Sequence, residues 1–410
     1  MTYHIITYGC QMNKNDSKRI KNLFELSGMK KASEEESDFL IINACSVRGR
    51  VVDRIRGKLN NLSDDKTLIL TGCVLDEDKK ELADRFDYVL DIKRLPFWHK
   101  QIKELKDLSI EGDYFKIEAE REKPIAYVPI MTGCDNFCSY CAVPYVRGRE
   151  ESRDPKDILE EVKSLIRDGF KEIWLLGQNV NSYNKGQNPD FPDLLRMVND
   201  LEGDFWIRFT SSHPKDFSEK LIKAIADCEK VTDYLNLPIQ SGDDKILKAM
   251  NRPYSVKEYK DIIRKVRAEI PQITLSTDII VGFPGETKEA FRNTKKLLKE
   301  IKFDMAYIAR YSPRPHTKAD QFEDDVTNKE KKERAKELTD LLKEQALERN
   351  KNKVGEQVSF LPTDYSEGFL IGKTKEYKTI KVAGDKSLLN QFQTAEVIEA
   401  TNFGLKGELL

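Results

Sequence analysis

Three apolar runs near the start of the 410-residue chain end alike, in TYGC at 7–10, INAC at 42–45 and LTGC at 70–73. Each is strand-like, and each precedes a charged helix-like stretch: DSKRIKNLFELSG, RVVDRIRGKLNNL and DEDKKELADRF. Alternation at this spacing predicts a parallel α/β sheet of Rossmann or flavodoxin type over residues 1–118. Parallel strands put their C-terminal ends on one edge, where open α/β sheets also take their ligands. Cys10, Cys45 and Cys73 should therefore converge despite their separation in sequence. One such residue reads as a small buried thiol. Three at the same topological place read as a three-cysteine site.

A second set is local. Residues 131–141 read MTGCDNFCSYC, placing Cys134, Cys138 and Cys141 close together in a chain with seven cysteines. Structural zinc normally closes with four ligands, so three is an incomplete set. A zinc knuckle completed by a distant His or Cys is the structural alternative, in a chain with only four His. The N-terminus MTYHIITYGC has no signal-peptide layout, and no apolar run reaches the roughly 18 residues of a membrane span. The expectation is a soluble cytoplasmic protein, where clustered cysteines bind metal or catalyse rather than form disulfides. The 69 Lys plus Arg nearly cancel the 70 Asp plus Glu, so net charge neither announces nor excludes a nucleic-acid partner.

The alternation resumes over 122–350, with strands in IAYVPIMTG, EIWLLGQN, FWIRFTSS, DYLNLPIQSG, TLSTDIIVGF and MAYIARYS. Six such units predict a partial (β/α)6 barrel, whose chemistry sits at the C-terminal strand ends. There the sequence turns polar: Gly177, Gln178 and Asn179; Ser211 and Ser212; Gln240 and Ser241; Asp278; Arg310. Such residues can also cap helices or satisfy backbone groups. The region closes with a long mixed-charge helix, TNKEKKERAKELTDLLKEQALERNKNK, read as a solvated face. Residues 353–410 carry short strands between turns, predicting a small antiparallel β-barrel of OB-like type. With 7 Lys/Arg against 8 Asp/Glu there, charge alone does not assign that barrel to RNA.

The spacing C-x3-C-x2-C after the first barrel strand, with aromatic Tyr140 before the last cysteine, resembles the radical S-adenosylmethionine superfamily. A 4Fe–4S cluster usually takes four thiolates. With three, one iron is open to the amine and carboxylate of S-adenosylmethionine, and the protein's part is binding, orientation and shielding. The resemblance narrows through TYGCQMN, INACSVR, LTGC, GCDNFCSYCAVPYVRGREESR, LLGQNVNSY, FTSSHP, LPIQSGDDKILKAMNRPYS and YSPRP. Together these are similar to the radical S-adenosylmethionine methylthiotransferases over nearly the whole chain, with a TRAM-like RNA-binding C-terminus. TYGCQMN, GQNVN and SSHP are most similar to the tRNA-directed MiaB branch.

That resemblance implies conversion of N6-isopentenyladenosine beside the tRNA anticodon to its 2-methylthio form. It implies two uses of S-adenosylmethionine, as methyl donor and as source of a 5′-deoxyadenosyl radical. It also implies two 4Fe–4S clusters, one on Cys134, Cys138 and Cys141 and an auxiliary one on Cys10, Cys45 and Cys73. Tyr140 and the polar strand-end residues named above are implied to hold the cofactor. Gln11, Asn13, Arg147 and Arg149 become candidate substrate contacts, with Arg153 beside them. A reductant protein such as flavodoxin or ferredoxin is an implied partner, the sulfur donor is not specified, and a monomer suffices. Alternatives within the same chemistry are threonylcarbamoyladenosine in tRNA or a ribosomal-protein aspartate as substrate. The alternative of a different class is a non-catalytic, metal-stabilised RNA-binding protein. The chain departs from the family at His316, where Gly is usual, implying a different local turn, and at Lys14 and Asn15. Cys228 belongs to neither triad and reads as an ordinary helix residue.

Overall fold

The computed structural model describes residues 1–46, 50–62, 65–105 and 112–410. The chain divides into two compact units. Met1–Glu122, Thr132–Arg153 and Ser312–Asp320 form the first, and Lys123–Met131, Asp154–Tyr311 and Gln321–Leu410 the second. The segment with Cys134, Cys138 and Cys141, expected to open the central region, thus belongs to the first unit, and the C-terminal strands belong to the second.

The first unit contains β1 (Thr2–Tyr8), α1 (Gln11–Leu26), β2 (Lys30–Lys31), β3 (Phe39–Cys45), α2 (Arg50–Leu59), β4 (Thr67–Cys73), α3 (Asp76–Leu82), β5 (Tyr88–Val89) and α4 (Val143–Arg147). The sheet order is β2-β1-β3-β4-β5, and every pairing is parallel. This is the flavodoxin-like order, with a switch point between β1 and β3. Every residue of β3 is buried, as a parallel strand covered on both faces requires. Side chains alternate across the sheet. Ile41 and Ile69 pack with Ile20, Leu23 and Phe24 of α1, while Ile42 and Leu70 pack with Val52, Ile55 and Leu59 of α2. The segment after β5 winds as 3₁₀ turns over Ile92–Lys100 with Pro96 inside. Proline removes the N–H that a regular α-helix would use.

The second unit holds six parallel strands: β6 (Ile125–Pro129), β7 (Glu172–Leu176), β8 (Trp206–Phe209), β9 (Tyr234–Asn236), β10 (Thr274–Val281) and β11 (Met305–Arg310). They pair as β6-β7-β8 and β9-β10-β11, and a parallel bridge from Ile207 to Val231 continues the order between the two sets. The expected partial barrel is present. Ile173, Leu175, Ile207, Leu235 and Leu275 pack against apolar faces of helices that include Pro155–Arg167, Glu219–Asp227 and Val256–Glu269.

The closing helix, Asn328–Lys351, departs from the expected solvated face. Lys331, Arg334 and Leu338 are buried, and Arg334 pairs with the fully buried Glu286 at 2.5 Å. Its mixed charges serve partly as interior ion pairs. The C-terminal strands close a five-stranded barrel, and one of its pairings, Ile380 with Leu405, is parallel rather than antiparallel.

One turn joins this barrel to the parallel sheet. Arg208 of β8 donates to the carbonyls of Thr374 at 2.8 Å and Lys375 at 3.0 Å, and pairs with buried Glu172 at 2.8 Å. Tyr377 packs its ring 4.6 Å from Tyr234 and 5.4 Å from Trp174, with the Arg208 guanidinium 4.9 Å away. Glu172, Trp206 and Tyr234 open their strands. The small barrel therefore docks at the N-terminal end of the parallel sheet, away from its polar strand ends. Arg208→Leu leaves Glu172 buried without a cation and is expected to destabilise this unit by about 3–5 kcal/mol. Urea unfolding checks this, and Arg208→Leu/Glu172→Gln should recover part of the loss.

Candidate metal and cofactor sites

Strand register assembles the first triad. Cys45 and Cys73 are Cα partners at the ends of β3 and β4, and β1 lies on the other side of β3 with Tyr8 opposite Ala44. Cys10, two residues beyond β1, takes the N-cap position of α1. Gly72 has φ +102°, and a Cβ there would lie 2.3 Å from the Ala44 carbonyl oxygen, so only glycine fits beside Cys73.

Asn13, expected as a substrate contact, is fully buried and braces the cysteines. Its Nδ2 donates to Asn43 Oδ1 at 3.1 Å and lies 3.9 Å from Cys73 Sγ. Its Oδ1 accepts from the Cys10 backbone N–H at 3.3 Å and from Cys10 Sγ at 3.5 Å. Gln11, at the first position of α1, is half-buried.

Arg147 is also placed otherwise than an RNA contact requires. It is 3% exposed, donating from Nε to Cys73 Sγ at 2.9 Å and from Nη2 to Asp16 Oδ2 at 2.6 Å. The Tyr114 hydroxyl donates to the other Asp16 oxygen. A hydrogen bond with Cys45, opposed by burial and aided by the Arg147 charge, brings the Cys73 thiol down to about 6. That favours the thiolate, the form that ligates metal.

The second triad lies in the same unit. Gly133, with φ +79°, has no room for a Cβ, which would fall 1.9 Å from the Arg149 carbonyl oxygen. Cys134 donates its backbone N–H to Gly148 O at 3.2 Å, and Cys141 donates to Cys138 O at 2.9 Å. Cys134 and Cys138 are buried, while Cys141 and Tyr140 are half-buried. Arg149 stays exposed, paired with Asp135 at 3.0 Å and 5.3 Å from the Phe137 ring; Arg153 lies 5.5 Å from the Phe115 ring. His316 adopts φ +65°, in the left-handed region that favours glycine, and its Nε2 meets the Glu77 carboxylate. Among the described residues no three His, Cys, Asp or Glu side chains gather closely enough for a single metal ion.

In the second unit the polar groups collect at the C-terminal strand ends. Gly177 sits tightly against Met131 and Val180, where a Cβ would lie 2.6 Å from Met131 Cγ. Ser211 and Gln240 both have positive φ, +66° and +73°, a strained backbone state for non-glycine residues that concentrates at functional sites. Ser241 is buried near Thr294, Asp278 lies on β10, and Arg310 ends β11 exposed. Asn179 donates to Asp216 at 2.8 Å.

Several atoms here have no hydrogen-bond partner among the described residues: Gln178 Oε1, Asn179 Oδ1, both amide atoms of Asn181, Ser212 Oγ and His213 Nε2. Buried polar atoms are normally satisfied, so a group of orphans marks where a polar ligand completes the set. Asn181 and His213 lie inside the GQNVN and SSHP motifs, where nothing local in the sequence distinguishes them. Arg314 of YSPRP is likewise buried, with Nε and Nη2 unpartnered among the described residues. Cys228 caps the helix Glu219–Asp227, buried, with its thiol pushed up chiefly by burial.

The residues present therefore fit the implied groups. Two sets of three cysteines supply soft thiolate donors, and the orphaned amide, hydroxyl and imidazole atoms suit a polar cofactor. Known proteins agree. The radical SAM superfamily model matches residues 128–298, and the model described as uncharacterized protein family UPF0004 matches residues 2–92. The tRNA-2-methylthio-N(6)-dimethylallyladenosine synthase of Clostridium beijerinckii is 39% identical, over 99% of this chain and 95% of its own length. The chain belongs to this family. The synthase of Dictyoglomus thermophilum, also 39% identical, is covered over 98% of its length. Among solved structures, the radical S-adenosylmethionine methyltransferase TsrM from Kitasatospora setae aligns with a TM-score of 0.57 at 12% identity, over 90% of this chain and 80% of that one. At that identity the likeness concerns the fold.

His213 gives a pH prediction independent of cofactor. Its Nδ1 accepts from the Lys215 N–H at 3.2 Å, which leaves the proton on Nε2. Burial above all, with Arg252, Lys215 and Lys185 nearby, pushes its pKa down to about 2. Unfolded, the same group protonates near 6.5. Stability contributed by the neutral ring is thus full above pH 6.5 and falls away as pH drops toward 2. Between pH 7.5 and 5.5 the loss is about 1.4 kcal/mol. His213→Gln should flatten the pH dependence of urea unfolding by that amount, and an unchanged slope refutes the assignment.

Proposed function

We propose that this chain transfers a methylthio group to C2 of N6-isopentenyladenosine beside the anticodon of tRNA. The observation that carries the reading is the joining, in one compact unit, of two cysteine triads, each one ligand short of the usual four. Family membership supplies the substrate class.

In this reading Cys134, Cys138 and Cys141 hold one 4Fe–4S cluster, and Cys10, Cys45 and Cys73 hold the auxiliary one. Bound S-adenosylmethionine and the clusters supply the methyl group, the radical chemistry and an open iron for sulfur. The chain's own residues bind, orient and shield. Gly133 lets the cysteine loop turn against Arg149, and Asn13 holds Cys10 and Cys73 in place. Tyr140, Gly177, Gln178, Asn179, Ser211, Ser212, Gln240, Ser241, Asp278 and Arg310 are assigned to the cofactor, joined by Asn181 and His213 on the strength of their orphaned atoms. Arg149, exposed beside Phe137, and Gln11 remain assigned to RNA, together with the C-terminal barrel as a TRAM-type module. A cytoplasmic monomer reduced by a flavodoxin or ferredoxin completes the proposal. No helix among the described residues is long and apolar enough to cross a membrane.

Mass spectrometry of tRNA nucleosides tests the substrate. A strain lacking this chain should lose 2-methylthio-N6-isopentenyladenosine and regain it on complementation; an unchanged level refutes the assignment. Anaerobic reconstitution tests the metal sites. Replacing Cys10, Cys45 and Cys73 by Ala together should remove about half of the iron, as one of two equal clusters.

A further inference from the structure

Arg147 ends the short helix that follows Cys134, Cys138 and Cys141, yet its side chain is spent on the other triad. One buried guanidinium serves two buried groups, Cys73 through Nε and Asp16 through Nη2. Asp16 is itself wholly buried and held by the Tyr114 hydroxyl. Burying an arginine is costly unless its charge is matched and its donors are filled. Here Asp16 alone would match the charge. The second bond, to a sulfur, is the unexplained part. The fixed fork of arginine, unlike the single point of a lysine, can aim separate donors at two acceptors.

We propose that Arg147 is a positioning residue for the auxiliary cluster: it ties the loop of one triad to a ligand of the other and biases the auxiliary cluster toward its reduced state. This rests on the reading that Cys10, Cys45 and Cys73 hold that cluster. A hydrogen bond and a positive charge at a ligand sulfur favour the form with one more electron, so both raise the reduction potential. The step is a one-electron reduction, with the electron supplied by an external low-potential reductant and no bond made or broken at Arg147. Asp16 acts oppositely, since its charge disfavours added negative charge nearby.

The test uses the full chain with Cys134, Cys138 and Cys141 changed to Ala, reconstituted so that only the auxiliary cluster is loaded, and titrated with dithionite under electron paramagnetic resonance. In Arg147→Gln/Asp16→Asn, which removes both buried charges together, the expected result is a lower midpoint than with Asp16→Asn alone. The reduced-to-oxidised ratio at fixed potential should fall about tenfold between those two, about 59 mV for one electron. Asp16→Asn alone should raise the midpoint above that of the unsubstituted chain. A purely structural role for Arg147 predicts the same midpoint in Asp16→Asn and in the double variant and would overturn the proposal. So would a midpoint that rises when Arg147 is replaced. If the double variant does not fold, Arg147→Lys, which keeps a cation for Asp16 but only a single donor point, decides: a midpoint below that of the unsubstituted chain supports, an unchanged or higher one overturns. Iron retained after loss of Cys10, Cys45 and Cys73 would instead refute the underlying cluster assignment.

Discussion

Parallel register between β3 and β4 is the constraint from which the first unit's chemistry follows. Because Cys45 and Cys73 are partners, their sulfurs are neighbours by construction, and the switch point at β1 brings Cys10 to the same edge. The adjoining residues are then constrained in turn. Gly72 must lack a side chain, Asn13 must reach two of the three cysteines, and Arg147 must find Cys73 from outside the sheet. A one-residue slip would send alternate side chains to the wrong face and dismantle all of these contacts together.

The second unit separates its two ends. At the N-terminal ends of its strands, Arg208 and Tyr377 make a dry, satisfied junction with the small barrel. At the C-terminal ends, amide, hydroxyl and imidazole atoms are left without partners among the described residues. Stability is concentrated at one end and binding capacity at the other, the usual economy of parallel α/β barrels.

Much of this was legible in the sequence because it rests on local periodicity. Alternating strands and helices pointed to the parallel sheets, and the repeated strand endings pointed to one sheet edge, where Cys45 and Cys73 are partners and Cys10 follows β1. Arg147 was not legible. In RGREESR it resembles any exposed basic residue, and its burial depends on Asp16 and Tyr114, far away in the chain. The long charged helix misled for the same reason, since Arg334 is buried only because Glu286 is there to meet it. His316 holds a left-handed conformation, which histidine tolerates better than most residues. The orphaned atoms of Asn181 and His213 were hidden because hydrogen-bond satisfaction is a tertiary property.

The first unit is discontinuous in sequence, assembled from 1–122, 132–153 and 312–320. Domains tend to fold as units while synthesis proceeds from the N-terminus. The sheet carrying Cys10, Cys45 and Cys73 is complete early, but the guanidinium that pairs with the Asp16 carboxylate arrives only with residue 147. The bond from Ala319 to Ser139 O must wait for the last segment. On a growing chain, then, the first three thiols are assembled long before the unit around them is finished, which opens an interval in which metal delivery and chain synthesis compete for order.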